Sequence, residues 1–224
     1  MPASDDGPLH APEVPPGTWG MRRTVLMVVI VIAMIAAIVA GARLISRPRA
    51  LLVGDSITWL SAQAFSASLQ SEYRLSIDGR PGLRADEMVG PLRDGIAADG
   101  PDRVVVNLGT NDVIQSWPIE KTMDAFDEMA YLLGRRCVRV VTINEHMHAP
   151  EPGISARAAA LNVRLREWAA QHGYGVIDWN RTVEEHAATN DGREPLLSDS
   201  VHPTAYGSGV LTDLYRDGLA TCGP

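Results

Sequence analysis

The chain has 224 residues, 46% of them apolar, and a net charge of −7. That size suits one ordinary domain with a sizeable core plus a short appendage, and the composition excludes a wholly disordered chain. The arginines are scattered and form no basic stripe, which argues against a nucleic-acid partner.

Met1 to Gly20 is rich in Pro and Gly, carries Asp5, Asp6 and Glu13, and reads with the residues up to 23 as a disordered tail. From Thr24 to Ala42 no residue is charged. A helix over that stretch would be roughly 28 Å long, close to the hydrocarbon thickness of a bilayer. Residues 24–45 are therefore expected to form one transmembrane or signal-anchor helix, bringing the chain to a membrane. Ala40-Gly41-Ala42 also fits a small-residue cleavage site, which would release the rest as a secreted domain, but the length of the apolar run favours an anchor. Arg22 and Arg23 precede the run while Arg43, Arg47 and Arg49 follow it, so flanking charge does not decide the orientation. The only two cysteines, Cys137 and Cys222, suit one disulfide in an oxidising compartment and bias the domain toward the extracytoplasmic side; two buried free thiols are the alternative.

Residues 49–224 alternate short β-branched runs with longer amphipathic ones. Strands are expected over Ala50 to Val53, Arg74 to Ile77, Arg103 to Leu108, Val138 to Ile143 and Gly175 to Ile177. Helices are expected over Leu60 to Glu72, Ala85 to Ala97, Ile119 to Gly134, Ser155 to His172 and Thr204 to Leu219. Runs such as Val104-Val105-Val106 are apolar on both faces, as a parallel sheet covered by helices requires. The pattern predicts an α/β three-layer sandwich around five parallel strands, with no internal repeat and no linker inside it.

In such a sheet the ligand crevice lies beyond the carboxyl ends of the strands. Gly54-Asp55-Ser56 follows the first strand, Asp78-Gly79-Arg80-Pro81-Gly82 the second and Gly109-Thr110-Asn111-Asp112 the third, while Asp199-Ser200-Val201-His202-Pro203 precedes the closing helix. Each block alone is an ordinary turn or cap sequence. Together they supply a hydroxyl, an imidazole and a carboxylate, the parts of an activated nucleophile.

These four blocks, in this order, resemble the SGNH or GDSL hydrolase superfamily. The resemblance covers Leu51 to Leu219 and implies a flavodoxin-like sheet and a serine esterase. It implies Ser56 as nucleophile, His202 as its base, Asp199 as the partner of the imidazole, and an oxyanion hole from Ser56, Gly82 and Asn111. Gly79 stays open as an alternative to Gly82. No Gly-x-Ser-x-Gly surrounds Ser56, so the nucleophile elbow of the α/β-hydrolases is absent. Asp55 is expected to brace its own loop by local hydrogen bonds.

Glu145, His146 and His148 follow the fourth strand, but no further ligand pair with suitable spacing accompanies them, so no metal and no cofactor is called for. They are expected at the rim of the site. Trp59 and Trp117 fit either helix-to-sheet packing or a pocket wall, whereas Trp168 and Trp179 fit packing.

The expected function is hydrolysis of small O-acyl esters or O-acylated glycans through an acyl-enzyme. Gly175-Val176-Ile177-Asp178-Trp179 with Asp199 to Thr204 is also similar to the branch that O-acetylates cell-wall glycans, which keeps acetyl transfer as an alternative. An inactive glycan-binding or scaffolding module is a second alternative.

Overall fold

Five short aliphatic runs form the strands β1 (Arg49–Gly54), β2 (Arg74–Gly79), β3 (Arg103–Asn107), β4 (Cys137–Val141) and β5 (Gly175–Ile177). The computed structural model describes residues 18–45, 47–148, 153–189 and 192–223. All four strand pairings are parallel, in the order β2-β1-β3-β4-β5. Parallel neighbours need crossover connections, and here the crossovers are helices that cover both faces of the sheet.

The helices of this unit are α2 (Ser56–Leu69), α3 (Ala85–Asp99), α4 (Thr110–Ile114), α5 (Ile119–Leu133), α6 (Ile154–His172), α7 (Trp179–Thr189) and α8 (Ala205–Ala220). Side chains alternate across a strand, so β3 sends Val104 and Val106 to one layer and Val105 to the other. Val104 and Val106 join Met88 and Leu92 of α3, Phe126 and Met129 of α5 and Leu161 of α6. Val105 joins Phe65 and Leu69 of α2 and Leu211 and Tyr215 of α8. Phe65 and Tyr215 stack with ring centroids 4.6 Å apart, which fixes α2 beside α8. Each such side chain contributes about 1.5–3 kcal/mol by leaving water, and Phe65→Ala would cost about 3–5 kcal/mol.

The strand order reverses between β1 and β3, whose last paired residues are Gly54 and Asn107. This is the switch point at which an open α/β sheet forms its crevice. A Cβ on Gly54 would overlap the Thr58 side chain and lie 2.7 Å from the Asn107 carbonyl oxygen. Glycine is thus the residue that lets the chain leave β1 and enter α2 directly against β3.

The opposite end of the sheet is closed covalently. Cys137, which opens β4, is bonded to Cys222 beyond α8, with Cα atoms 5.8 Å apart, so the two are not free thiols. Arg139 of β4 donates to the carbonyl of Gly218 at 2.8 Å and to the Thr221 hydroxyl at 2.6 Å, and Arg103 donates to the carbonyl of Cys222 at 3.1 Å. These contacts satisfy carbonyls that the end of a helix leaves without intrahelical donors.

Two expectations for this unit need correction. Helix α2 begins at Ser56 rather than Leu60, because Asp55 caps it directly. Helices α4 and α7 were not expected: α4 is little more than one turn, and α7 has only Trp179 and Asn180 buried, so it lacks a full apolar stripe.

The other unit of the chain contains helix α1, Thr18–Ile45. It starts at Thr18, inside the expected tail. Residues 1–17 of the expected tail lie outside the described residues. Among the described residues no helix is long and apolar enough to cross a membrane, so the expected transmembrane helix over 24–45 is not supported. The side chains of residues 24–38 within α1 are all exposed.

Candidate active site

Asp55 sets the position of Ser56. Its side-chain Oδ1 accepts the N–H of Ile57 at 2.9 Å and caps α2, so Ser56 becomes the first helical residue. This is the local brace expected of Asp55. Its other oxygen, Oδ2, is buried without a hydrogen-bond partner. Burial pushes the Asp55 carboxyl up to about 7, against the opposing pull of the Ile57 N–H and of His202.

His202 reaches the same place from the other helix of that layer. The Thr204 hydroxyl accepts the N–H of Gly207 at 3.0 Å and caps α8. Ser61 of α2 donates to the Ser208 hydroxyl of α8 at 3.1 Å, which joins the second turn of α2 to the first turn of α8. Their N-termini therefore lie side by side at the crevice, and Ser56 Oγ stands 3.0 Å from His202 Nε2. On the other side of the ring, Nδ1 is 2.7 Å from Asp199 Oδ2. With the ring proton on Nδ1, facing the carboxylate, Nε2 is left as acceptor for the Ser56 hydroxyl. Partial burial alone would raise the Asp199 carboxyl, but the His202 ring and the N–H groups of His202 and Val201 outweigh it and hold it below the usual carboxylate range.

The loop carrying Asp199 and His202 is anchored through Ser200, which sits at φ +70°, a conformation uncommon for a residue other than glycine. The Ser200 hydroxyl accepts the N–H of His148 at 2.9 Å, and its carbonyl accepts Asn144 Nδ2 at 2.7 Å. The segment after β4 thus holds the loop. Sequence reasoning missed Asn144 and Ser200; the available signal was a lone amide directly after an apolar strand end, Ile143-Asn144.

Gly82 and Asn111 come together at the ends of β2 and β3. Gly82 has φ +78°, and a Cβ built on it would meet nothing within 4 Å. At Gly79, by contrast, a Cβ would collide with the backbone of Trp59, so Gly79 is packed beneath α2 and Gly82 faces open space. Asn111 Nδ2 donates one hydrogen to the carbonyl of Leu83 at 3.0 Å, and a primary amide carries a second. Asp112 is buried and accepts from the Ala85 N–H at 3.1 Å and the Thr122 hydroxyl at 2.9 Å, tying α3 to α4 and α5. Burial raises its carboxyl, while those two donors lower it less.

Glu145, His146 and His148 do not converge. Glu145 accepts from Asn162 Nδ2 at 2.9 Å, His146 Nε2 lies 2.8 Å from Glu184, and His148 is exposed, meeting Ser200 through its backbone. Trp168 and Trp179 are buried in the two cores, as expected of packing residues. Trp59 is 57% exposed and so does not pack helix to sheet, and Trp117 is half-buried beneath the Arg84 guanidinium at 4.4 Å.

A hydroxyl, an imidazole and a carboxylate in line, beside an open glycine turn and a side-chain amide, can form and break an acyl bond. The model of the GDSL-like lipase/acylhydrolase family matches residues 52–210, which include all of these groups. The chain belongs to this family. It is accordingly a carboxylic ester hydrolase by family. A comparison with curated proteins finds no match. Among solved structures, an acetyl xylan esterase is similar at TM-score 0.66 and 19% identity, covering 78% of this chain and 100% of its own. A lipase/acylhydrolase from Enterococcus faecalis gives TM-score 0.66 and 20% identity, covering 79% and 98%. A lipolytic protein of the G-D-S-L family from Veillonella parvula gives 0.65 and 18%, covering 78% and 99%. At these identities the likeness establishes the GDSL fold.

Proposed function

We propose that the protein hydrolyses small O-acyl esters through an acyl-enzyme formed on Ser56. The observation that carries this reading is the continuous line from Ser56 Oγ to His202 Nε2 at 3.0 Å and from His202 Nδ1 to Asp199 at 2.7 Å. In the first half-reaction the Ser56 oxygen bonds to the ester carbonyl carbon while its proton passes to Nε2. The tetrahedral oxyanion accepts hydrogen bonds from the N–H groups of Ser56 and Gly82 and from the Asn111 amide. The positive end of the α2 dipole lies at Ser56 and favours the same charge. Collapse of the intermediate breaks the ester bond, and Nε2–H protonates the leaving alcohol. Water repeats the sequence on the acyl-enzyme and releases the acid.

An acetyl xylan esterase among the similar folds agrees with an acylated carbohydrate as substrate. The Cys137–Cys222 disulfide supports an oxidising, extracytoplasmic location. Protease shaving of intact cells should then remove the domain; full protection would contradict this location.

The test of the reaction is release of a chromogenic alcohol from acetyl and butyryl esters, comparing the wild-type chain with Ser56→Ala. The wild type should turn over and the variant should fall by at least about 10³-fold. Equal rates for the two would overturn the role of Ser56.

A further inference from the structure

We propose that Gln115 is the positioning residue of the oxyanion site, holding the Gly82 turn at a fixed place beside Asn111 so that both donors meet one oxyanion; this rests on the serine-hydrolase reading above. The Gly82 N–H belongs to the middle peptide of the turn Arg80-Pro81-Gly82-Leu83, which is closed by the Leu83 N–H on the Arg80 carbonyl at 3.4 Å. Proline in the second position and glycine at φ +78° in the third are the features of a type II turn. The closing bond does not use the middle N–H, so that group is available to a ligand. A flip of the middle peptide would leave the Gly82 carbonyl where it is, so what neighbouring groups can fix through that carbonyl is the place of the turn as a whole. Pro81 and Gly82 are both exposed, so packing does little to hold it.

The restraint comes from side chains of the neighbouring segment. Gln115 Nε2 donates to the carbonyl of Gly82 at 2.8 Å. Gln115 Oε1 accepts from Arg84 Nη1 at 2.8 Å, so both ends of the amide are engaged and its orientation is fixed. Arg84 is itself held by the Asp86 carboxylate, at 3.0 and 3.2 Å, and lies over the Trp117 ring at 4.4 Å. The same segment contributes Asn111, bonded to the Leu83 carbonyl at 3.0 Å. The two donors assigned to the oxyanion from outside α2, Gly82 and Asn111, are therefore braced as one piece, and Gln115 is the cross-member nearest Gly82. Gln115 itself is exposed and bonds to the far carbonyl of Gly82 rather than to reacting atoms.

The experiment compares the full wild-type chain with Gln115→Met, which removes both hydrogen bonds, and with Gln115→Glu. The latter keeps an acceptor for Arg84 but loses the donor to Gly82. For an acetyl ester, both variants should show kcat lower by about tenfold with KM within about twofold, a smaller loss than the ~10²–10³-fold expected when a donor itself is deleted. Inhibition by a trifluoromethyl ketone, which binds serine as a tetrahedral oxyanion, should weaken by the same factor, with the thermal midpoint unchanged. If Gln115→Met fails to fold, Gln115→Glu decides the question. Unchanged kcat in Gln115→Glu overturns the proposal, as does a loss of kcat without weaker ketone binding. Absence of turnover by the wild type overturns the hydrolase reading itself, whereas turnover that the Gln115 variants leave intact overturns only the positioning role.

Discussion

Asp199 grips His202 at two points, its Oδ2 on ring Nδ1 and its Oδ1 on the backbone N–H, both at 2.7 Å. The carboxylate therefore orients the imidazole and shapes the loop that carries it. Asp199→Asn keeps an oxygen for the backbone but sets an amide N–H against Nδ1, favouring the tautomer with the proton on Nε2, where it cannot accept from Ser56. kcat should fall by about 10³–10⁴-fold with an unchanged thermal midpoint, since the side chain is 55% exposed. Asp199→Ala removes the backbone bonds as well, so its loop should also gain hydrogen exchange at Val201 and His202. A rate for Asp199→Asn within tenfold of wild type would show that the carboxylate is dispensable.

Asn111→Ala removes a proposed oxyanion donor together with the bond to Leu83. Turnover should fall by about 10²–10³-fold, with a stability loss of about 1 kcal/mol for the single hydrogen bond. Steady-state kinetics alongside urea unfolding separates the two effects. A rate loss no greater than the fraction unfolded would remove Asn111 from the chemistry.

Asp55 gives the protein a pH-dependent stability with a definite sign. Its carboxyl is raised to about 7 in the fold, so between about pH 4 and 7 the native chain holds a proton that the unfolded chain has released. Stability from this group is complete on the acid side and declines as pH rises through about 7. Between about pH 5 and 8 the loss is about 2–3 kcal/mol. Asp112 is raised in the same direction and remains in an Asp55→Asn variant, so the informative quantity is the difference between variant and wild type. Urea unfolding at the two pH values should find Asp55→Asn gaining on wild type at the higher one. A pH-independent difference would contradict the assigned burial of the carboxylate.

The double substitution Cys137→Ser, Cys222→Ser opens a bridge between residues 85 apart in sequence and should cost about 3–5 kcal/mol. Esterase activity of the remaining folded protein should persist, because the bridge closes the end of the sheet away from Ser56. Loss of activity at temperatures where circular dichroism finds the chain folded would require a coupling between the two ends.

The sheet was legible because its strands are nearly continuous aliphatic runs, and buried strands such as Val104 to Val106 carry little else. Ser56, Asn111, Asp199 and His202 were legible because each stands in a polar block at a predicted strand end or helix start. The start of α2 was harder to read. Thr58 and Ile57 are β-branched, and the apolar stripe of that helix becomes regular only beyond them. Gln115 and Ser200 were not legible at all: one is a polar residue after a single helical turn, the other a serine in a loop. Their importance arises from partners 33 and 52 residues away, the Gly82 carbonyl and the His148 N–H, which become neighbours only when the sheet has formed. Choosing between Gly79 and Gly82 likewise needed three dimensions, since only packing against Trp59 separates them.

Ser56 and His202 are 146 residues apart in sequence and meet because α2 and α8 stand side by side. The proposed catalytic pair therefore exists only while that helix pair is docked, and no local segment of the chain can reproduce it. Ester turnover is in effect a gauge of tertiary assembly: a molecule in which α8 has come away keeps its serine yet has no base beside it, and drops out of the signal at once. Heat, denaturant or a damaging substitution in the α2–α8 layer should thus extinguish activity in step with the undocking of α8.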